Sequence, residues 1–201
     1  MRLPPSDAAD DEHASLGAGI GRATSELEDL LRGVSLVKEC TPRTLDGITS
    51  FGEYLSALIV AAAFRARGRQ ANAIDARALV VTDSSFGAAR VNFEATGARI
   101  REWWKKETAL PVVTGFIAAT ESGETTTLGR GGSDYTAAIF GAALEAEAIE
   151  IWTDVDGVMS ADPRIVPTAF SMDSLRYDEL MELSHFGAKV VYPPTVHPAR
   201  A

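Results

Sequence analysis

The sequence predicts an α/β layer sandwich on a largely parallel sheet, and three observations carry that prediction. Short β-branched segments bounded by turn residues alternate with segments of helical apolar spacing. The 201 residues are enough for one good-sized hydrophobic core. No internal repeat and no linker-like stretch divides the chain, so one domain is the economical reading.

The elements follow in order. "MRLPPSDAADDEHAS" is rich in Pro, Ala and Asp and has no apolar signal-peptide core, so residues 1–24 are expected to form a disordered tail. "SELEDLLR" (25–32) puts Leu27, Leu30 and Leu31 on one face of a short helix. Residues 41–68 form the best helix of the first half, through Leu55, Leu58, Ile59 and Ala62, and stop at Gly68. Its apolar run, "ALIVAAAF" (57–64), falls short of the roughly 18 residues of a membrane span and is expected to be a buried helix. "ALVVT" (78–82) and "PVVTGFIAAT" (111–120) read as strands, and 92–107 between them as helical in its second half. From Ser133 the helical pattern returns with Tyr135, Ala138, Ile139 and Ala142 on one side. "AIEIWTDV" (148–155) then alternates as a strand.

Charge and rare residues narrow the function. Nineteen basic against 28 acidic residues leave a formal charge of −9, which argues against a nucleic-acid-binding surface but allows a basic pocket for one small anion. Cys40 is the sole cysteine, so the chain has no internal disulfide and no cysteine-based zinc site, which fits a cytoplasmic protein. No membrane association is expected. His13, His185 and His197 are too scattered to predict a metal site, and "DAADDE" lacks the spacing of a calcium loop. Trp103 and Trp104 beside Lys105 and Lys106 read as an amphipathic helix that packs one tryptophan, rather than as a base-stacking patch.

Chemistry concentrates in "TLGRGGSDYT" (127–136). The stretch is not a P-loop, since no Lys-Ser or Lys-Thr follows, nor a dinucleotide fingerprint, since Asp134 takes the place of the last glycine. It does offer a strand end, a glycine turn whose N–H groups can approach an anion, and Ser133 as the expected cap of a helix whose positive end faces the same spot. Arg130 adds a planar fork suited to carboxylate or phosphate. Taken alone, a tight strand-to-helix turn with a surface ion pair explains the stretch equally well.

Two further clusters add weight. "IWTDVDGVMSADPR" (151–164) places Thr153 and Asp154 at a strand end and closes with Asp162 and Arg164; ligands of open α/β sheets sit beyond such carboxyl ends. "SHFGAKVVYPPTV" (184–196) carries Lys189, which alone reads more readily as a solvated lysine than as a phosphate contact.

Together, "SFGEYLSA" (50–57), "VTDSSFGAARVNFEAT" (81–96), "PVVTGFIAAT", "TTTLGRGGSDYTAA" (125–138), "WTDVDGVMSADPR" (152–164) and "FGAKVVYPPT" (186–195) resemble the aspartate kinase branch of the amino acid kinase family, in that family's order. The resemblance covers residues 27–201. It implies a three-layer sandwich and transfer of the ATP γ-phosphate, with Mg²⁺ on the nucleotide, to the side-chain carboxylate of L-aspartate. It also implies roles. Glu53 would hold the substrate ammonium and Arg130 its α-carboxylate, with Gly131, Gly132 and Ser133 lining the pocket. Asp134 would organise phosphate-binding lysines, Thr153, Asp154, Asp162 and Arg164 would serve the nucleotide, and Lys189 would lie near its phosphates.

The chain also departs from the family pattern. Residues 1–26 carry no "KFGG"-type strand, and Tyr54 stands where the family usually has arginine. Residues 25–201 are therefore expected to form a partial kinase domain that needs a partner segment or a homo-oligomer. A non-catalytic binding or assembly subunit is the alternative. A kinase of glutamate or of a nucleotide is disfavoured by Glu53 together with "GRGGSD".

Overall fold

The structure is a computed structural model describing residues 6–154, 157–186 and 193–199. Two helices open it: α1 (Ser6–Val37) and α2 (Pro42–Ala66), which pack against each other. Residues 6–24 are thus helical, where a disordered tail was expected. Alanine has the lowest helical cost of any residue, and this stretch also has something to pack on. Ala23 is buried, Gly19 faces Leu58, and the Glu12 carboxylate accepts a 2.6 Å bond from Arg65 Nε near the far end of α2. Low hydrophobicity was misleading, because small residues let two helices approach closely without large apolar side chains.

Thr41 caps α2, its hydroxyl accepting the Thr44 N–H at 3.1 Å, and Pro42 stands just inside the helix, where a missing N–H costs nothing. The helix lies on β1 (Ala71–Ile74), β3 (Leu110–Val113) and β5 (Thr125–Thr127). By length and composition α2 could cross a membrane, yet it carries the buried polar residues Asp46 and Ser50 and packs on three strands, as a core helix does. It is only half buried, however. Ala57, Ala61 and Ala62 are covered, whereas Ile59, Val60 and Phe64 are exposed, a departure from the wholly buried run expected of 57–64.

β1 and β3 pair in parallel, Ala71 opposite Leu110 and Ile74 opposite Val113. β2 (Val81–Thr82) pairs in parallel with β4 (Ile117–Thr120), and β4 pairs antiparallel with β5. The strand expected over 78–82 shrinks to two residues because Ala78 ends a 3-10 turn, Ala76–Ala78, capped by Asp75, and Leu79 closes it. The run 111–120 is two strands. Thr114 accepts the Ala76 N–H at 2.9 Å, and Phe116 takes φ 64°, so the chain bends from one sheet into the other.

α3 (Phe93–Trp104) and α4 (Gly132–Ala143) pack on each other, α3 against β2, and complete the layered α/β fold. Their core joins Ile100 and Ile139 to Leu79, Val80, Ala118 and Leu128. Fully burying a side chain such as Ile100 contributes roughly 1.5–3 kcal/mol. Trp103 packs edge-on against Phe140 with centroids 6.1 Å apart, while Trp104 stays exposed, as an amphipathic helix requires. α5 (Tyr177–Phe186) and α6 (Pro193–Ala199) follow, α6 lying along α4.

The strand expected over 148–155 does not form among its described residues, 148–154. Trp152 is 88% exposed, and no neighbouring strand satisfies this backbone. Alternation alone cannot hold an extended segment without a ladder partner.

Candidate active site

Three pieces of chain converge on the N-terminus of α4. Beyond β5 the chain turns through Gly129 (φ 73°) and Gly131 (φ 67°), left-handed conformations that cost a residue with a Cβ about 1–2 kcal/mol. Gly131 is the N-cap, and α4 has no side-chain cap bond. The expectation that Ser133 caps the helix is therefore corrected: Ser133 lies inside the first turn, where its hydroxyl is free to face α2. An uncapped helix start presents unpaired N–H groups and the positive end of the dipole, which suits an anion.

The β3–β4 bend is fastened beneath this turn. Phe116 N–H donates to Thr136 Oγ1 at 3.1 Å, and that hydroxyl donates to Gly132 O at 2.9 Å. Gly115 touches Ser133 so closely that a Cβ there would lie 2.8 Å from Ser133 Cβ and Oγ and 2.9 Å from its Cα.

From α2, Glu53 reaches the same point: its Oε1 accepts from Ser133 Oγ at 3.4 Å, across 80 positions of sequence. Arg130 is exposed on the turn and has no ion-pair partner among the described residues. Asp134 is half-buried in the first turn of α4. Glu53, Arg130, Gly131, Gly132, Ser133 and Asp134 are thus brought together. A carboxylate on one side, with a guanidinium and bare amides on the other, matches the two charges of an amino acid zwitterion.

Tyr54, beside Glu53, receives the Arg77 guanidinium 5.7 Å from its ring centroid. Arg77 is held by both Asp75 carboxylate oxygens, and that hydrogen bonding raises its already high pKa.

The residues expected to serve a nucleotide make their described hydrogen bonds among themselves. Thr153 Oγ1 bonds Asp154 at 3.2 Å. Asp162 accepts from Arg164 Nε at 3.0 Å, Nη2 at 2.7 Å and the backbone N–H at 2.9 Å. The side-chain bonds from Arg164, then its backbone N–H, lower the Asp162 pKa to about 2. No described hydrogen bond or ion pair joins either pair to the glycine turn. Lys189 lies outside the described residues. Among the described residues no group of three or more His, Cys, Asp or Glu is placed to hold a metal ion.

Sequence reasoning missed Asp46. It is buried in α2 and accepts from Gly87 N at 2.8 Å, Thr127 N at 3.0 Å and Thr127 Oγ1 at 2.8 Å. Its signal was present as a polar stripe, Asp46, Ser50 and Glu53, at helical spacing on an otherwise apolar helix.

Comparison with known proteins places the chain in a family. Over 180 residues the chain is 42% identical to aspartokinase 1, chloroplastic, of Arabidopsis thaliana, covering 87% of this chain and 32% of that one. It is 40% identical to the aspartokinase of Geobacillus stearothermophilus over 185 residues, covering 91% and 44%. Among solved structures it is similar to E. coli aspartokinase III in complex with aspartate and ADP, with a TM-score of 0.79 and 34% identity over 98% of this chain and 48% of that one. The chain therefore spans about a third to a half of the length of these relatives. The sequence of the amino acid kinase family matches residues 9–201. With that match across nearly the whole chain, on a layered α/β fold similar to solved aspartokinases, the chain belongs to the amino acid kinase family.

Proposed function

We propose that the chain carries the amino-acid side of an aspartate kinase, in which a side-chain carboxylate oxygen of L-aspartate attacks the γ-phosphorus of ATP and ADP leaves. The observation that carries this reading is the junction of Glu53, Arg130 and Ser133 at the uncapped start of α4. Glu53 binds the substrate ammonium and Arg130 its α-carboxylate. Gly131 and Gly132 bring bare backbone against the substrate, and Ser133 fixes its orientation. The similarity to an aspartokinase solved with aspartate and ADP supports both the substrate and the nucleotide.

Phosphoryl transfer asks the protein chiefly for positioning and charge neutralisation, which amides and cations supply. An uncapped helix start behind the half-buried Gly129 and Gly131 fits a polyphosphate or carboxylate anion. When bound, ATP would supply the phosphoryl group, and Mg²⁺ accompanying it would neutralise phosphate charge. Thr153, Asp154, Asp162 and Arg164 serve the nucleotide, Lys189 its phosphates, and Asp134 the arrangement of cations around them.

That the Thr153–Asp154 and Asp162–Arg164 pairs bond within themselves and share no described hydrogen bond with the turn favours a second reading, an aspartate-binding chain without turnover. L-aspartate-dependent ADP formation from Mg-ATP separates the two. Turnover abolished by Arg130→Ala supports the kinase. Saturable aspartate binding without turnover supports the second reading, and neither binding nor turnover sinks both.

A further inference from the structure

We propose that Asp46 is a positioning residue for the amino-acid site, setting the distance between Glu53 on α2 and Ser133 on α4 by clamping three separate pieces of chain. The inference rests on the reading that Glu53 and Ser133 line that site.

A carboxylate buried to 2% exposure is costly unless its oxygens are saturated with donors. All three donors to Asp46 are uncharged and come from outside α2. Oδ2 takes the Gly87 and Thr127 backbone N–H groups, and Oδ1 takes the Thr127 hydroxyl, across 41 and 81 positions of sequence. A contact serving stability alone is met as well by apolar packing, whereas a three-donor clamp fixes relative position.

The pieces it fixes are those that build the site. Seven residues along α2, about 10 Å at the helical rise, Asp46 gives way to Glu53. Thr127 ends β5 immediately before the glycine turn that leads to Ser133. Gly87 belongs to a loop that backs the same turn. Its carbonyl oxygen would lie 3.2 Å from a Cβ at Gly129, and two residues on, Ala89 N–H donates to Thr127 O at 2.9 Å. Side-chain hydrogen bonds therefore join α2 to the β5–α4 segment at two places, the buried Asp46–Thr127 anchor and the open Glu53–Ser133 contact. The first contact holds the second in register.

Amide hydrogen exchange on the full chain tests this without any ligand. In Asp46→Ala, exchange rises at least tenfold in residues 83–89 and 127–133 and stays within twofold of wild type in the β1–β3 pair. Asp46→Asn restores protection, because its amide oxygen can take the two backbone N–H groups while its NH₂ donates to the Thr127 hydroxyl. Thr127→Val, which removes only the side-chain bond, falls between. If Asp46→Ala does not fold, Thr127→Val and Asp46→Asn decide by the same segments. A uniform rise across the chain, or no rise in the two segments, overturns the proposal.

The functional readout is the L-aspartate concentration at half-saturation. It rises at least tenfold in Thr127→Val or Asp46→Ala and returns in Asp46→Asn, with a smaller change in kcat. An unchanged half-saturation beside a changed exchange pattern overturns the positioning role. A wild-type chain with no aspartate dependence defeats the proposed function instead, and the exchange pattern still decides the clamp.

Discussion

Arg130 stands exposed at the mouth of the glycine turn with no described carboxylate to neutralise it, so its side chain is available to a ligand. A charge-assisted hydrogen bond to a carboxylate contributes about 1.5–3 kcal/mol. We expect Arg130→Ala to weaken L-aspartate binding on the order of 10- to 100-fold by calorimetry. Arg130→Lys should recover part of the loss, since a point charge replaces a two-pronged fork. The Asp162 pKa near 2 is a second test at this scale. A carboxylate depressed in the folded state contributes its interaction above its ordinary pKa of 3.8 and loses it as pH falls through the depressed value. A carboxyl NMR titration should place its midpoint near 2, and Arg164→Ala should return it towards 3.8. The residues of the turn were legible in the sequence because glycine, arginine and aspartate crowd one short motif. Asp46 was not, because its partner Thr127 lies 81 positions away and a lone aspartate in a helix gives no sign of what will cover it.

At the scale of elements, the bend between β3 and β4 decides where the site forms. Sequence reasoning took 111–120 as one strand because the β-branched pattern runs into Gly115 and Phe116 without an obvious break. The break is tertiary, made by the Thr114 and Thr136 hydroxyls capturing backbone N–H groups. Gly115→Ala should therefore do two things. Its Cβ would meet the backbone of Ser133 as well as its side chain, so the chain must shift, at about 1–3 kcal/mol by denaturant unfolding. Because the shift moves Ser133, aspartate binding should weaken by more than that stability loss accounts for. The helices α2, α3 and α4 were readable from their apolar spacing. The strand over 148–155 was read from real alternation, but a strand exists only with a neighbour, and a pattern in one segment cannot supply it.

At the scale of the molecule, α2 packs on β1, β3 and β5 and α3 on β2, around short parallel pairs and one antiparallel pair, the layered α/β arrangement the sequence implied. The largest difference is α1, whose N-terminal half was expected to be a tail. Ala23 burial, the Gly19–Leu58 contact and the Glu12–Arg65 pair tie it to α2. A chain that begins at Ser25 should consequently lose about 2 kcal/mol, seen as a fall in Tm of roughly 4–8 °C rather than the null effect of trimming a loose end. α1 therefore packs on the same helix that carries Glu53. The most direct measurement is isothermal titration of L-aspartate into the purified wild-type chain and into Arg130→Ala. One saturable site in the wild type, weakened at least tenfold by the substitution, is the expected result. Equal binding by both proteins, or no binding by the wild type, would contradict the assignment of this turn as the amino-acid site.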